Sequence, residues 1–542
     1  MTARLPPTDM RPGICHPAPV RRWARVRGRT GATVASWRRI LFARGASAAR
    51  AVAAALALAL AAALALSAME ARATPPSAAK ESWFRISIEG TDAGWQRTSE
   101  IHDARGVRSA SESYLRVGRD GASAEIRIAW EMLESADGVP IECTVEQQSG
   151  SAPTRTRAQF APDGVSARTS AGARDTVQRL PALPADCLGP AAAARRIQAQ
   201  RAAGSARISI TTIDPASGLG PVGIVTVPAP GERCWSTTTT IMPAALTECL
   251  DDAGEVIRAH AQLGIGAFTL TRMDRASAQA PLPGGGVDVL RRSVVGVSPP
   301  ADGLLRAQRA AVTVRARTGT LLPLPSAGAQ RVERAADGAS ARVTVDAALG
   351  SVPAEGDAAD PRYRGPSPVV DSEDPEVRDA ALRTVATVTG GDAARADALR
   401  AFVHRHITGK DLASVFASAS SVMRSRSGDC TEHAVLLAAM LRAAGIPSRL
   451  AAGVVYAREF AGVRGCYAWH MWTQALIDGQ WRDLDATLAD RPFHAGHILV
   501  ATGAQDGPSI DPVFAGMVVS VGNLSIAVES VDGVPCAKAA GP

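Results

Sequence analysis

From about residue 80 to 350 the chain carries short stretches in which apolar and polar residues alternate. Phe84, Ile86 and Ile88 alternate with Arg85, Ser87 and Glu89, and Ile126, Ile128 and Trp130 with Glu125, Arg127 and Ala129; Ile208/Ile210, Val312/Val314 and Val343/Val345 repeat the pattern. A period of two puts every second side chain on one face, which predicts half-buried antiparallel strands. A sheet with one apolar and one wet face suits a sandwich, an open barrel or a curved sheet. No internal repeat is visible. Residues 353–370, PAEGDAADPRYRGPSPVV, are rich in Pro, Gly and Asp and read as an interdomain linker.

Beyond the linker the period changes. Asp374-Pro375-Glu376 supplies a cap, a proline at the first helical position and an acid in the first turn, so a helix is expected to run to about Val388, and a second from Ala393 to His406. A third, rich in Ala and Leu, should occupy 430–444 and stop at Gly445-Ile446-Pro447; strand candidates follow at 449–456, 470–477 and 481–485. The expected class is therefore α+β: an antiparallel β-rich domain over 80–352, then a helix-and-sheet domain over 371–535.

Composition narrows the function classes. Of 542 residues, 46% are hydrophobic and 20% charged, which is globular. The net charge of +7 is misleading, because residues 1–50 hold eleven arginines against Asp9 alone, a charge of +10 that leaves −3 for the rest. A mildly acidic body lacks the electrostatic footprint of a nucleic-acid binder. Residues 51–68 form an uncharged apolar run, followed by the small-x-small pattern Ala71-Arg72-Ala73, so 1–73 reads as a leader with an export signal. The run is also long enough for a single membrane anchor. Either outcome would place the body outside the cytoplasm, exported to the periplasm or anchored facing it. The stretch before the apolar run is long for a signal and points to a start downstream of Met1.

Without the leader's Cys15, seven cysteines remain: Cys143, Cys187, Cys234, Cys249, Cys430, Cys466 and Cys536. In an oxidising compartment an odd number suggests three bridges and one free thiol. Cys430 is the expected free thiol, and Cys466–Cys536 the expected pair among the other six. Gly218-Leu219-Gly220-Pro221-Val222-Gly223 fits the dinucleotide pattern, but IVTVPAP follows where that site needs a helix, so a turn is expected.

Ser427-Gly428-Asp429-Cys430 leads into AVLLAAMLRAA, which puts Cys430 in the first helical turn, where free backbone N–H groups favour thiolate over thiol. Two partners stand downstream. Asp478-Gly479 is a strong two-residue hairpin signal that pairs Ile477 with Gln480, so facing residues have numbers summing to 957 and Asp485 faces Trp472. His470 lies two positions along on the same face, diagonal to Asp485 and within reach of a carboxylate–imidazole hydrogen bond. Asp485 can then orient His470 while His470 activates Cys430.

These residues resemble a known family. SRSGDCTEHAVLLAAMLRAAGIPSRLAAGVVY followed by AWHMWTQALIDGQWRDLDAT is similar to the transglutaminase-like superfamily over about 371–530, with the Gly-x-Cys helix start, the His-x-Trp strand and the Trp-x-x-Leu-Asp strand in that order. The resemblance implies a papain-like cysteine fold with Cys430 as nucleophile, His470 as general base and Asp485 as orienting acid. It also implies amide chemistry on a protein or peptide, by hydrolysis or transamidation, with no cofactor. Two positions depart from the family pattern: Ala486, where proline often follows the Asp, and Gln474, where an acid is frequent. Asn523 is the only asparagine, which leaves almost no room for a Cys-His-Asn variant. Rival readings use the same residues. Cys430, His433, Cys466 and His470 have zinc-ligand spacing, and an exported binding or scaffold protein could retain a vestigial triad. Trp469, Trp472 and Trp481 fit either core packing or substrate contact, and His494 and His497 read as ordinary histidines.

Overall fold

The computed structural model describes residues 80–119, 122–148, 153–171, 174–241, 244–264, 266–283, 287–288, 294–409, 417–505 and 521–536. The leader and the apolar run at 51–68 lie outside them. Among the described residues no helix is long and apolar enough to cross a membrane.

The alternating segments form one broad antiparallel sheet. Eight strands from Lys80–Ile88 to Arg174–Leu180 follow one another as a meander, each paired with the next. Six more, from Ile208–Ile213 to Gly266–Met273, meander back until the last pairs with the first, Lys80–Ile88. The sheet is open, ending at Arg174–Leu180 on one side and Ile208–Ile213 on the other. Phe84, Ile86, Ile88, Ile126, Ile128 and Trp130 are buried as the period of two requires. The same face also buries Gln96, Glu100, Ser109, Ser111 and Ser113. The helix Pro190–Ala202 brings cations to three buried acids: its Arg195 lies 3.3 Å from Glu134 and 3.9 Å from Glu100, and its Arg201 lies 2.8 Å from Glu248. An uncompensated carboxylate at such depth would cost several kcal/mol. The same helix packs Ala193 and Ile197 on Ile208, Ile210, Val222 and Ile224. The glycine-rich 218–223 run is a bend entering the strand Pro221–Pro228, so no helix N-terminus is present to hold a pyrophosphate.

A second sheet joins distant parts of the chain. Arg309–Ala316 lies between Ser340–Asp346 and Leu524–Val531, both antiparallel to it, with Gln330–Arg334 beyond Ser340–Asp346. Strand pairing therefore ties 309–346 to 524–531, across the 353–370 segment. That segment is itself packed: Asp357 accepts a hydrogen bond from Trp481 Nε1 at 3.1 Å, and Tyr363 sits edge-on to the Trp481 ring at 5.2 Å. Its Pro and Gly content marks irregular backbone, which is compatible with docking as well as tethering.

The third sheet and its helices carry the site. The helices Pro375–Ala386, Asp392–His406, Ala419–Ser425 and Cys430–Ala443 precede the strands Ser448–Phe460, Val463–Ile477, Gln480–Leu484 and His497–Gly503. Asp374 caps the first helix by accepting from Glu376 N and Val377 N, as its sequence implies. Cys430–Ala443 is buried on every side up to Arg442, and each of its leucines contributes about 1.5–3 kcal/mol of transfer free energy.

The cysteines correct the bridge arithmetic. Cys234 and Cys249 face each other on neighbouring strands and form a disulfide. Cys143, Cys187, Cys430, Cys466 and Cys536 carry none, so neither three bridges nor Cys466–Cys536 is present. A bridge needs Cα atoms within about 7 Å, a condition that an odd count cannot test. Burial pushes the Cys187 and Cys466 thiols up to about 11 and the Cys143 thiol higher still. Iodoacetamide on the native protein near neutral pH is therefore expected to spare Cys143, Cys187 and Cys466 and to reach them only after unfolding. Mass mapping that finds Cys466 alkylated in the folded protein would contradict this burial.

Candidate active site

The cysteine helix begins where its caps place it. Asp429 accepts from Thr431 N at 3.1 Å, and Glu432 accepts from Asp429 N at 3.0 Å, a reciprocal box that fixes Cys430 as the first helical residue. Thr473 Oγ1 donates to Ala434 O at 2.9 Å, fastening this helix to the strand that carries His470. On the other side of that strand, Gly453 faces His470 on Ser448–Phe460. A Cβ at Gly453 would lie 1.9 Å from Ile498 O, so the bare backbone lets His497–Gly503 close up beside the histidine.

The hairpin has the expected register. Asp478 and Gly479 have φ of 50° and 71°, the left-handed pair of a tight two-residue turn. Ile477 faces Gln480 and Thr473 faces Leu484. Asp485 follows directly, and its Oδ2 accepts from His470 Nε2 at 2.8 Å. With Nε2 so committed, Nδ1 is the ring nitrogen left for the interaction of His470 with Cys430. Cys430, His470 and Asp485 thus meet, at 7%, 5% and 1% exposure.

Asp485 is engaged on both oxygens. Oδ1 accepts from Thr487 N at 2.8 Å and Thr487 Oγ1 at 2.6 Å, while Oδ2 also meets His497 Nε2 at 3.1 Å. Burial alone would raise this carboxyl, but the charge and hydrogen bond of His470, with that of His497, hold it well below the usual range. For His470, burial works against the charged ring, and the Asp485 and Cys430 interactions outweigh it, pushing the imidazole up to about 10.

A second buried network stands behind the first. Asp483 Oδ1 accepts from Trp472 Nε1 at 2.7 Å and Gln474 Nε2 at 2.8 Å, and Gln474 Oε1 accepts from Arg449 Nε at 2.9 Å. Burial raises the Asp483 carboxyl. An acid at 474 would set two buried carboxylates side by side, whereas the amide donates to one neighbour and accepts from the other. Ala486 O takes a hydrogen bond from His404 Nδ1 at 3.1 Å. The Trp472 ring stacks with His470 at 6.1 Å, and Trp481 lies under the Arg449 guanidinium at 4.2 Å. Trp469, Trp472 and Trp481 are all buried, so packing is their role in this structure.

The zinc quartet does not assemble. His433 Nδ1 is taken up locally by Asp429 O at 2.5 Å. Cys466 stands four residues before His470 on an extended strand, about 13 Å away along the chain. Among the described residues, the group of His, Cys, Asp and Glu atoms close enough to share an ion is His470, Asp485 and His497, within 4.8 Å of one another. Both rings give an N–H to Asp485 Oδ2, so their Nε2 atoms carry protons in place of the lone pairs an ion would need. Sequence reasoning missed His497, which reads as one more histidine ahead of the apolar run ILVA. It reaches the site through the pairing of Val455 with His497, a contact no local spacing announces.

A helix opening on a buried cysteine, packed on a strand with the histidine and a hairpin returning the aspartate, defines a papain-like arrangement. Residues 379–486 match the transglutaminase-like superfamily, and the C-terminal part of this chain is a transglutaminase-like domain. Similar solved structures include a candidate cysteine protease from Cytophaga hutchinsonii, 19% identical over 43% of this chain and 90% of that one, with a TM-score of 0.26. Another is the periplasmic domain of TgpA from Pseudomonas aeruginosa, bound there to ethylmercury: 18% identity, 36% and 95% coverage, TM-score 0.21. No curated protein matches the chain.

Proposed function

We propose that this protein is an exported cysteine acyl-transfer enzyme acting on amide bonds of a protein or peptide. Cys430 Sγ attacks the carbonyl carbon, the carbon–nitrogen bond breaks, and the His470 imidazolium gives its proton to the departing amine. A thioester forms on Cys430. Water or a second amine then adds to it, His470 takes the proton, and the thiolate leaves. Water makes the reaction hydrolysis; an amine makes it transamidation. The backbone N–H of Cys430, at a helix start, is the proposed oxyanion donor.

The observation that carries this reading is the position of His470, hydrogen-bonded to Cys430 and, through Nε2, to a carboxylate whose other oxygen is already saturated. Export rests on the leader, whose apolar run precedes the β-rich part. The test compares labelling by an iodoacetamide probe in wild type, Cys430→Ala and His470→Ala near neutral pH. Wild type is expected to label at Cys430 well above the rate of an ordinary thiol, His470→Ala slowly, and Cys430→Ala not at that position. Equal labelling of wild type and His470→Ala would leave the scaffold reading in its place.

A further inference from the structure

Resting on the reading of Cys430, His470 and Asp485 as a working triad, we propose that His497 is a positioning residue for it: a second hydrogen-bond donor to Asp485 Oδ2 that limits the hold of Asp485 on His470. Oδ2 stands 2.8 Å from His470 Nε2 and 3.1 Å from His497 Nε2, so one oxygen serves two rings. The rings are 5.4 Å apart.

The far side of His497 decides how it acts. Its Nδ1 faces His494 O at 2.9 Å, so both ring nitrogens look at acceptors, and a neutral imidazole has one N–H to give. Burial favours the neutral ring. A bond to an ionised carboxylate is about twice as strong as one to a neutral carbonyl, so the proton belongs on Nε2, toward Asp485. Phe493 at 4.3 Å and Trp472 at 5.1 Å between ring centres keep the ring aimed. The titratable groups around the pair are Cys430 on its helix, His470 on its strand, Asp483 and Asp485 at the end of the hairpin, and His494 in the preceding loop.

The consequence for catalysis follows from charge. A carboxylate bound to His470 alone favours the imidazolium and makes it a reluctant acid, although it must release its proton to the leaving amine. A second donor on the same oxygen draws off part of that charge. Removing His497 therefore leaves His470 protonated to higher pH.

Iodoacetate reads this directly on the full chain. The reagent is an anion that alkylates the Cys430 thiolate with loss of iodide, and the neighbouring imidazolium attracts it, so its rate falls as pH rises through the titration of His470. In wild type the rate is expected to fall in the alkaline range. His497→Phe fills the same aromatic slot without a donor and should move that fall about one pH unit higher, a tenfold change in the protonation equilibrium. His497→Gln places an amide N–H near the Nε2 position and should bring the fall back toward wild type. Should His497→Phe not fold, His497→Asn, whose amide stops short of Oδ2, is expected to show the same upward shift. A fall that stays in place or moves down in the folded Phe or Asn variant overturns the inference. A wild-type protein with no alkaline fall overturns the triad reading itself.

Discussion

Asp485→Asn is expected to lower acyl transfer by up to about 10⁴-fold, the loss seen when the orienting aspartate of a serine-protease triad becomes asparagine. The reason lies in Thr487. Its N–H and hydroxyl both donate to Oδ1, so an asparagine settles with its carbonyl toward Thr487 and its NH₂ toward His470 Nε2. That amide donates where the carboxylate accepted. His470 must then present a lone pair at Nε2 and carry its proton on Nδ1, the nitrogen that has to take the proton of Cys430. The side chain keeps its volume, so the fold should persist. Stability should still show a pH signature. The wild-type carboxyl is held below its unfolded value, so its contribution is present above about pH 4 and lost as pH falls. The wild-type advantage in melting temperature should shrink in acid. Unchanged turnover in Asp485→Asn would reduce the site to a Cys–His pair.

Inserting one residue between Gly479 and Gln480 is expected to be as damaging to activity, with Cys430, His470 and Asp485 all still present. Facing positions in this hairpin follow from the turn, and a slip of one residue sends a strand's whole inner set to the other face. Asp485 would turn away from His470, and Asp483 from Trp472 and Gln474. Two buried networks would break at once. The measurement is turnover alongside near-ultraviolet circular dichroism, which follows the buried Trp472 and Trp481. Retained activity would mean that the loop absorbs the extra residue and that the turn does not set the register.

The hairpin was legible because its information is local. Asp478-Gly479 fixes a turn, the turn fixes a register, and the register carries Asp485 to His470 without knowledge of the rest of the fold. Cys430 was legible for a similar reason, through Gly428, Asp429 and the apolar run behind them. His497 was not, because it arrives on a strand whose place depends on pairing with Ser448–Phe460. The partners of Asp483 were equally hidden, one of them the backbone N–H of Ala329 at 2.7 Å, far upstream. The sheet joining 309–346 to Leu524–Val531 escaped for the same cause. Alternation marks each segment as a strand and does not say which strand lies next to it. The cysteines show a third kind of limit, since counting fixes parity while a bridge is decided by two Cα positions.

The order of strands also governs when the molecule can fold. Lys80–Ile88 sits in the interior of the broad sheet, between Thr91–Asp103, which follows at once, and Gly266–Met273, nearly two hundred residues later. In a chain delivered from its N-terminal end, this strand has one neighbour early and an open edge until residue 273 has passed. Arg309–Ala316 waits longer still for Leu524–Val531. Pairings of such span are slow to form and leave unpaired edges exposed meanwhile. The hairpin of Val463–Ile477 and Gln480–Leu484 closes locally and early, while the sheet holding Arg309–Ala316 waits for Leu524–Val531, which couples the arrival of that strand to assembly of the body around the site.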